Sequence, residues 1–211
     1  MFKHRFHAGD LLSEKLIEYK KQKDVVVVTI PNGGVMCGSQ VAKNLERPLE
    51  IALINKIFHP DDHQLVGLVS LDGFLLKDQF DLLGTYIESE INRIRKVQED
   101  TYKMYFGTDK RCSVNDKIAI VIDDGIETGS TITLAIDMIK AEGAKKIILG
   151  VPVASAEILE KLKNKVDEIV CIHETKEIQP IANFYDNFHP VKHGTIMRLI
   201  ENYLHSYDKN Q

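Results

Sequence analysis

Asp123 and Asp124 are adjacent carboxylates, and the residues on either side decide what they can do. They follow Ile118 to Ile122, five apolar residues bounded by turn signals and read as a buried strand. They precede Gly125-Ile126-Glu127-Thr128-Gly129-Ser130-Thr131, after which Ile132, Ala135, Ile136 and Ile139 fall at helical spacing. A strand, two acids and a Gly/Thr/Ser loop thus open straight into a helix. The end of such a loop offers backbone N–H groups and hydroxyls at a helix N-terminus, where the positive end of the dipole suits a phosphate. The two acids stand just ahead, in place to accept hydrogen bonds from sugar hydroxyls. A plain βα turn whose acids only cap and solvate is the alternative, but one cap suffices and Ser130 or Thr131 can supply it. No Gly-Lys-Ser/Thr follows and Gly-x-Gly-x-x-Gly is absent, so this is neither a Walker loop nor a dinucleotide fingerprint.

A second loop has related properties. After the apolar strand Val25 to Ile30 comes Pro31-Asn32-Gly33-Gly34-Val35, and Val35, Val41, Ala42 and Leu45 then mark a helix. Paired glycines let backbone approach an anion closely. Glu127 is the odd residue of the first loop, because a carboxylate beside a phosphate is costly unless directed elsewhere.

The run from Asp123 to Thr131 resembles the signature of the type I phosphoribosyltransferases. That resemblance implies that Asp123 and Asp124 hold the ribose 2′- and 3′-hydroxyls of phosphoribosyl pyrophosphate. Gly125, Ile126, Glu127, Thr128, Gly129, Ser130 and Thr131 would surround the 5′-phosphate, and Pro31, Asn32, Gly33 and Gly34 the pyrophosphate. Within that family the chain is most similar, from Arg5 to Ile200, to a little-characterised group of phosphoribosyltransferase-domain proteins. The likeness rests on Ala8-Gly9, Pro31 to Val35, Asn55-Lys56, Asp123 to Thr131 and Val151 to Ser155. Members usually carry Arg where this chain has Asn32, and Arg-Lys where it has Asn55-Lys56. Two positive charges are thus missing, and Lys56 is the remaining cation for the pyrophosphate, unless it is only a solvated strand end.

The implied reaction transfers ribose 5-phosphate to a nitrogen acceptor and releases pyrophosphate, with magnesium held mainly by substrate and water. In members acting on 6-oxopurines, an Asp at the position of Glu127 faces the base and handles its N7 proton. Glu127 would then act on a purine-like acceptor, with Asp123 and Asp124 as its catalytic companions; the alternative is a glutamate pointing into solvent. Phe184 and Tyr185 lie in a loop-rich segment, Ile178 to Val191, where acceptor specificity resides in this family. They would stack on an acceptor ring, or else pack the segment onto the core. A non-catalytic protein that binds phosphoribosyl pyrophosphate or a nucleotide and regulates a partner is the rival reading.

The remaining composition narrows the field. The chain has 211 residues, 44% of them hydrophobic, enough for one domain with appended parts: a hairpin and long-helix insertion over 57–110 and a C-terminal hood or tail over 174–211. A net charge of −4 gives no electrostatic case for a nucleic-acid binder. Cys37, Cys112 and Cys171 are widely spaced and read as packed, reduced thiols, and seven scattered histidines between His4 and His193 lack zinc-ligand spacing. No signal peptide or membrane-length apolar run is present, which predicts a cytoplasmic protein.

These residues need a scaffold. Leu11, Leu12, Leu16 and Ile17 mark an N-terminal helix, and Leu49 to Lys56 a strand after the first loop and helix. Leu65 to Ser70 and Phe74 to Leu76 flank a turn and read as a hairpin. Thr85 to Met104 reads as a helix with Ile87, Ile91, Ile94, Val97, Thr101 and Met104 on one stripe and the charge pairs Arg95/Glu99 and Glu99/Lys103 on a solvated face. The hairpin and this helix offer surfaces for a homodimer. Gly143 stops the helix after the signature loop, Lys146 to Val153 is a strand, Ser155 caps a short helix, and Glu168 to Ile172 is the last strand. Strands alternating with helices predict an open, mainly parallel α/β sheet whose ligands bind beyond the strand C-termini, with the loops after Ile30, Lys56, Ile122 and Val153 on one rim.

Overall fold

The computed structural model describes residues 1–77, 84–177 and 179–208. Its centre is a five-stranded parallel sheet of β1 (Val25–Thr29), β2 (Leu49–Ile51), β6 (Ile118–Ile122), β7 (Lys146–Ser155) and β8 (Glu168–Thr175), in the order β2-β1-β6-β7-β8. Every side chain of β1 is buried, as expected when helices cover both faces of a parallel sheet. Alternate residues serve opposite faces. Val25, Val27, Ile120 and Ile122 pack with Leu12 and Leu16 of α1 (Arg5–Lys15) and its end, and with Val41 and Leu45 of α2 (Gly34–Leu45). Val26, Val28, Ala119 and Val121 face Ile132, Ile136 and Ile139 of α4 (Ser130–Ala141) and Ile158 of α5 (Ala156–Leu162). Ile17, assigned to the first helix from sequence, lies beyond α1 and is exposed. Ser155 caps α5 by accepting from the Ile158 N–H, and Gly143 follows α4 at φ +87°.

A second sheet is antiparallel: β3 (Asn55–Phe58), β4 (Leu65–Val69) and β5 (Phe74–Leu76), in that order. The hairpin read from sequence is β4–β5. The single strand expected over Leu49 to Lys56 is instead two strands in two sheets. Buried Gln98, on α3 (Gly84–Phe106), explains the break, because its Nε2 donates to Leu53 O at 2.8 Å and also approaches Val69 O and Asn55 Oδ1. Those contacts satisfy the carbonyl of a residue that has left the main ladder. Lys56 therefore does not stand on the rim of the parallel sheet.

The stripe of α3 also departs from expectation. Ile87, Ile91 and Ile94 are buried against the small sheet, but the inward positions then become Gln98, Tyr102 and Tyr105, while Val97 and Met104 are exposed. The ion pairs at helical spacing are Arg93–Glu90 and Lys96–Asp100 rather than those expected. The last element, α6 (His193–Asp208), buries Ile196, Ile200 and Tyr203. Ile196 and Ile200 join Tyr102, Tyr105 and Phe106 of α3 in one cluster. Ile178 and 209–211, parts of the expected C-terminal segments, lie outside the described residues. Among the described residues, no helix is long and apolar enough to cross a membrane.

Candidate functional site

Strand register brings the two sequence-identified loops together. Thr29 pairs with Ile122, so β1 and β6 end side by side and release residues 30–34 and 123–129 at the same edge. A β-carbon on Gly34 would lie 2.9 Å from Asp123 Oδ1 and 3.0 Å from Ile122 O; one on Gly33 would lie 2.6 Å from Asp124 Cγ. Both glycines are needed for this close approach. Between the loops lies an open cleft of ≈ 290 Å³, lined by Pro31, Asn32, Gly33, the run Asp123 to Gly129, Thr131 and Ile181. The Pro31–Asn32 peptide is cis.

The loop 125–129 is held from behind, since Ile126 N donates to Val153 O at 3.0 Å in an isolated bridge to β7. Gly129, at φ +74°, precedes α4, and no side chain caps that helix. Neither Ser130 nor Thr131 is the cap that the sequence suggested; both belong to the first turn. Ser130 N meets Thr128 Oγ1 only at 3.5 Å, so the first turn of α4 opens toward the cleft, and a helix end of this kind suits an anion.

The two acids differ in environment. Asp124 is buried, and its Oδ2 pairs with Arg5 Nε at 2.5 Å. Its carbonyl accepts from the Tyr185 hydroxyl at 2.7 Å. Asp123 Oδ1 accepts from Asp124 N at 2.8 Å. Burial, followed by the neighbouring charge of Asp124, raises the Asp123 pKa well above the usual carboxylate range. Adjacent carboxylates in a poorly solvated site resist double ionisation.

Glu127 is exposed but not without a partner. Its Oε1 accepts from Ile181 N at 2.9 Å, so the carboxylate faces the C-terminal segment that borders the cleft. Phe184 and Tyr185, the sequence candidates for acceptor stacking, line no part of that cleft. Tyr185 is buried between Phe2 and Phe188, with ring centroids 5.2 and 5.0 Å away, and Phe184 packs on His173. Their rings pack the segment down, and Ile181 is the residue of that segment that lines the cleft. Lys56 is exposed and, with Pro31, Ile54, Thr131 and Leu134, lines a smaller adjoining cavity of ≈ 100 Å³. Asn55 accepts from Gln98 Nε2.

The chain matches the phosphoribosyl transferase domain family over residues 3–184. It belongs to that family. A Mycobacterium tuberculosis protein provisionally named a phosphoribosyl transferase is 30% identical over 195 residues, 89% of this chain and 44% of its own length. A Listeria monocytogenes protein provisionally named ribose-phosphate pyrophosphokinase 2 is 24% identical over 194 residues, 90% of this chain and 48% of its length. The chain therefore spans less than half of either relative. The structure of the Thermus thermophilus protein TT1426 covers 96% of this chain and 99% of its own, with a TM-score of 0.79 and 26% identity.

In this phosphoribosyl transferase domain, sequence reasoning missed two site residues. Ile181 carries no signal beyond its place in a loop-rich segment. Arg5 did carry one, because Arg5, Ala8, Gly9 and Leu12 share the buried face of α1, and a charged residue on such a face must find a partner. Among the described residues, no group of three or more His, Cys, Asp or Glu converges as a metal site.

Proposed function

We propose that the domain transfers ribose 5-phosphate from phosphoribosyl pyrophosphate to a nitrogen acceptor and releases pyrophosphate. The observation that carries this reading is the pairing of the uncapped N-terminus of α4 with two carboxylates across one cleft from the Gly33-Gly34 loop. The 5′-phosphate would take the N–H groups and hydroxyls of Thr128 to Thr131, and the ribose hydroxyls would donate to Asp123 and Asp124. The pyrophosphate would lie against Asn32 and Gly33, with Lys56 approaching from the second sheet. As the anomeric bond breaks, positive charge grows on the sugar and negative charge on the leaving group. The acids face the first, and Lys56 can answer the second. Magnesium would come with the donor, held by its oxygens and by water, and would supply neutralisation of the pyrophosphate charge. Glu127 faces Ile181, where an acceptor ring would sit. In this reading its second carboxylate oxygen, the one not bound to Ile181 N, takes a ring proton, which favours a purine-like acceptor.

The neutral Asn32 and the tethered Asn55 favour a second reading, a binding protein without turnover, because the leaving-group end carries little positive charge. One assay separates the two. Pyrophosphate release with magnesium, phosphoribosyl pyrophosphate and a panel of purine, pyrimidine and other nitrogen acceptors is expected above background for at least one acceptor. Calorimetric donor binding with no release for any acceptor would replace transfer by the regulatory reading, and no donor binding would remove both.

A further inference from the structure

Asp124 is the meeting point of contacts that come from both ends of the chain. Arg5 donates from Nε to its Oδ2, and from Nη1 to His189 O at 2.9 Å. The guanidinium carbon stands 3.7 Å from the centroid of the Phe188 ring. Phe188 packs on Tyr185, whose hydroxyl returns to the Asp124 carbonyl. The backbone closes the same circuit: Phe2 N donates to Phe184 O, Asp186 N to Phe2 O, and Asn187 N to Lys3 O.

We infer that Arg5 is a positioning residue for the donor site: it fixes Asp124 through Oδ2 and joins that carboxylate to segment 184–189. This rests on the donor-site reading above. The side chains of the pair are 7% and 12% exposed, so the interaction is desolvated and water replaces neither partner well. With one lone pair of Oδ2 committed to Arg5, the plane of the Asp124 carboxylate is fixed, and with it the directions from which a ligand hydroxyl can donate. Arginine suits the position because its planar fork serves a carboxylate and a carbonyl at different angles while its face lies on an aromatic ring. A lysine ammonium can restore the charge but not that fork. Arg5 also supplies the charge balance for two adjacent acids in one buried site.

The test is a double-mutant cycle on binding of phosphoribosyl pyrophosphate, followed by calorimetry, together with amide exchange of the unliganded protein. Arg5→Gln should weaken donor binding by about 10- to 100-fold, the range for removing a partner that orients a ligating group. Arg5→Lys should recover part of that loss. In an Asp124→Asn background, Arg5→Gln should add little, about 3-fold or less, because the residue acts through Asp124. The amides of Asp186 and Asn187 should exchange faster in Arg5→Gln with no ligand present. Should Arg5→Gln fail to fold, Arg5→Lys in both backgrounds completes the cycle. An equal loss in both backgrounds would overturn the inference, as would no recovery with lysine. If the wild-type protein binds no donor, the functional reading fails by itself. The exchange measurement then still decides the clamp, and unchanged exchange in Arg5→Gln and Arg5→Lys would refute it.

Discussion

Gly33→Ala tests whether the two loops touch as closely as the site requires. Gly33 has φ −66° and ψ −40°, a conformation that alanine adopts freely. Considered only as backbone, the substitution should stabilise by about 0.4–1 kcal/mol, because alanine loses less freedom on folding. Space opposes it. The new β-carbon would stand 2.6 Å from Asp124 Cγ and closer still to Oδ2. That carboxylate cannot swing aside without leaving Arg5, and breaking a buried pair costs about 3–5 kcal/mol. Shifting the loop instead incurs an overpacking cost of about 1–3 kcal/mol. The cheaper route sets the outcome, so after the backbone gain the net destabilisation should be about 1–2 kcal/mol. For a chain of this size that lowers Tm by about 2–8 °C. Gly194→Ala is the matched control: it lies in α6 with nothing within 4 Å of its added carbon, and should be neutral or up to about 1 kcal/mol stabilising. Urea unfolding with comparison of m-values reads both, and donor binding should weaken only in Gly33→Ala. A Gly33→Ala protein as stable as the wild type would refute the contact between the loop and the second acid.

Three further outcomes follow from the same geometry. Asp123→Asn keeps the Oδ1 acceptor for Asp124 N but removes a charge whose folded-state pKa is raised. The native state then binds more protons than the unfolded chain above about pH 4, so wild-type stability falls as pH rises from there and the gain in Tm of the variant should grow toward neutrality; a pH-independent difference would contradict this, and donor binding should weaken. Asn32→Arg should tighten pyrophosphate binding through a bidentate guanidinium, measured by calorimetry, and unchanged affinity in a folded variant would remove this loop from the leaving group. Glu127→Gln retains the oxygen that accepts from Ile181 N, so stability should change by less than about 0.5 kcal/mol, whereas turnover should drop by a factor of about 10²–10⁴ if the residue takes a ring proton; unchanged turnover would leave the acceptor class open.

The parts of the site legible in sequence are those whose chemistry is contiguous. Asp123 to Thr131 and Pro31 to Gly34 each carry strand, turn and helix start in one short run, and apolar flanks place both at the same edge of a parallel sheet. Positions decided by a residue far along the chain were not legible. The break at Leu53 depends on Gln98, 45 residues later, and a buried glutamine looks polar and exposed when only apolar period is counted. The same blindness shifts the α3 stripe after Ile94. Glu50, whose carboxylate accepts from Ile51 N, Cys112 N and Tyr102 OH, is buried with a pKa pushed up to about 7 by that burial, and its place within a short strand carries no sign of these partners in sequence. Phe184 and Tyr185 fail differently, since an aromatic residue in a loop serves stacking or packing equally well. The helix α6 is a third case: the spacing of Ile196, Ile200 and Tyr203 marks it, but reading 174–211 as one hood or tail passes over that period.

The two ends of the cleft are built to different standards of rigidity, and that asymmetry assigns distinct consequences to damage at each. The sugar-phosphate end rests on the β1–β6 register, the bridge from Ile126 to β7 and the buried Arg5–Asp124 pair. Its groups are held by the protein itself, so under the proposed function their loss should appear first as weaker donor binding. The end proposed for the leaving group has a neutral Asn32 in the cleft, while Lys56, on the separate antiparallel sheet, lines only the adjoining cavity. Lys56 is exposed and lies just after the break at Leu53 that Gln98 supports. Gln98 thus helps decide where Lys56 lies relative to the cleft, which under the proposed transfer is where negative charge would develop on pyrophosphate. An interaction that matters chiefly when that charge develops lowers turnover with little change in ground-state affinity. Under the proposed transfer, a chain complete in the acids and sparse in the cations would be limited at the departure of the leaving group and not at capture of the donor.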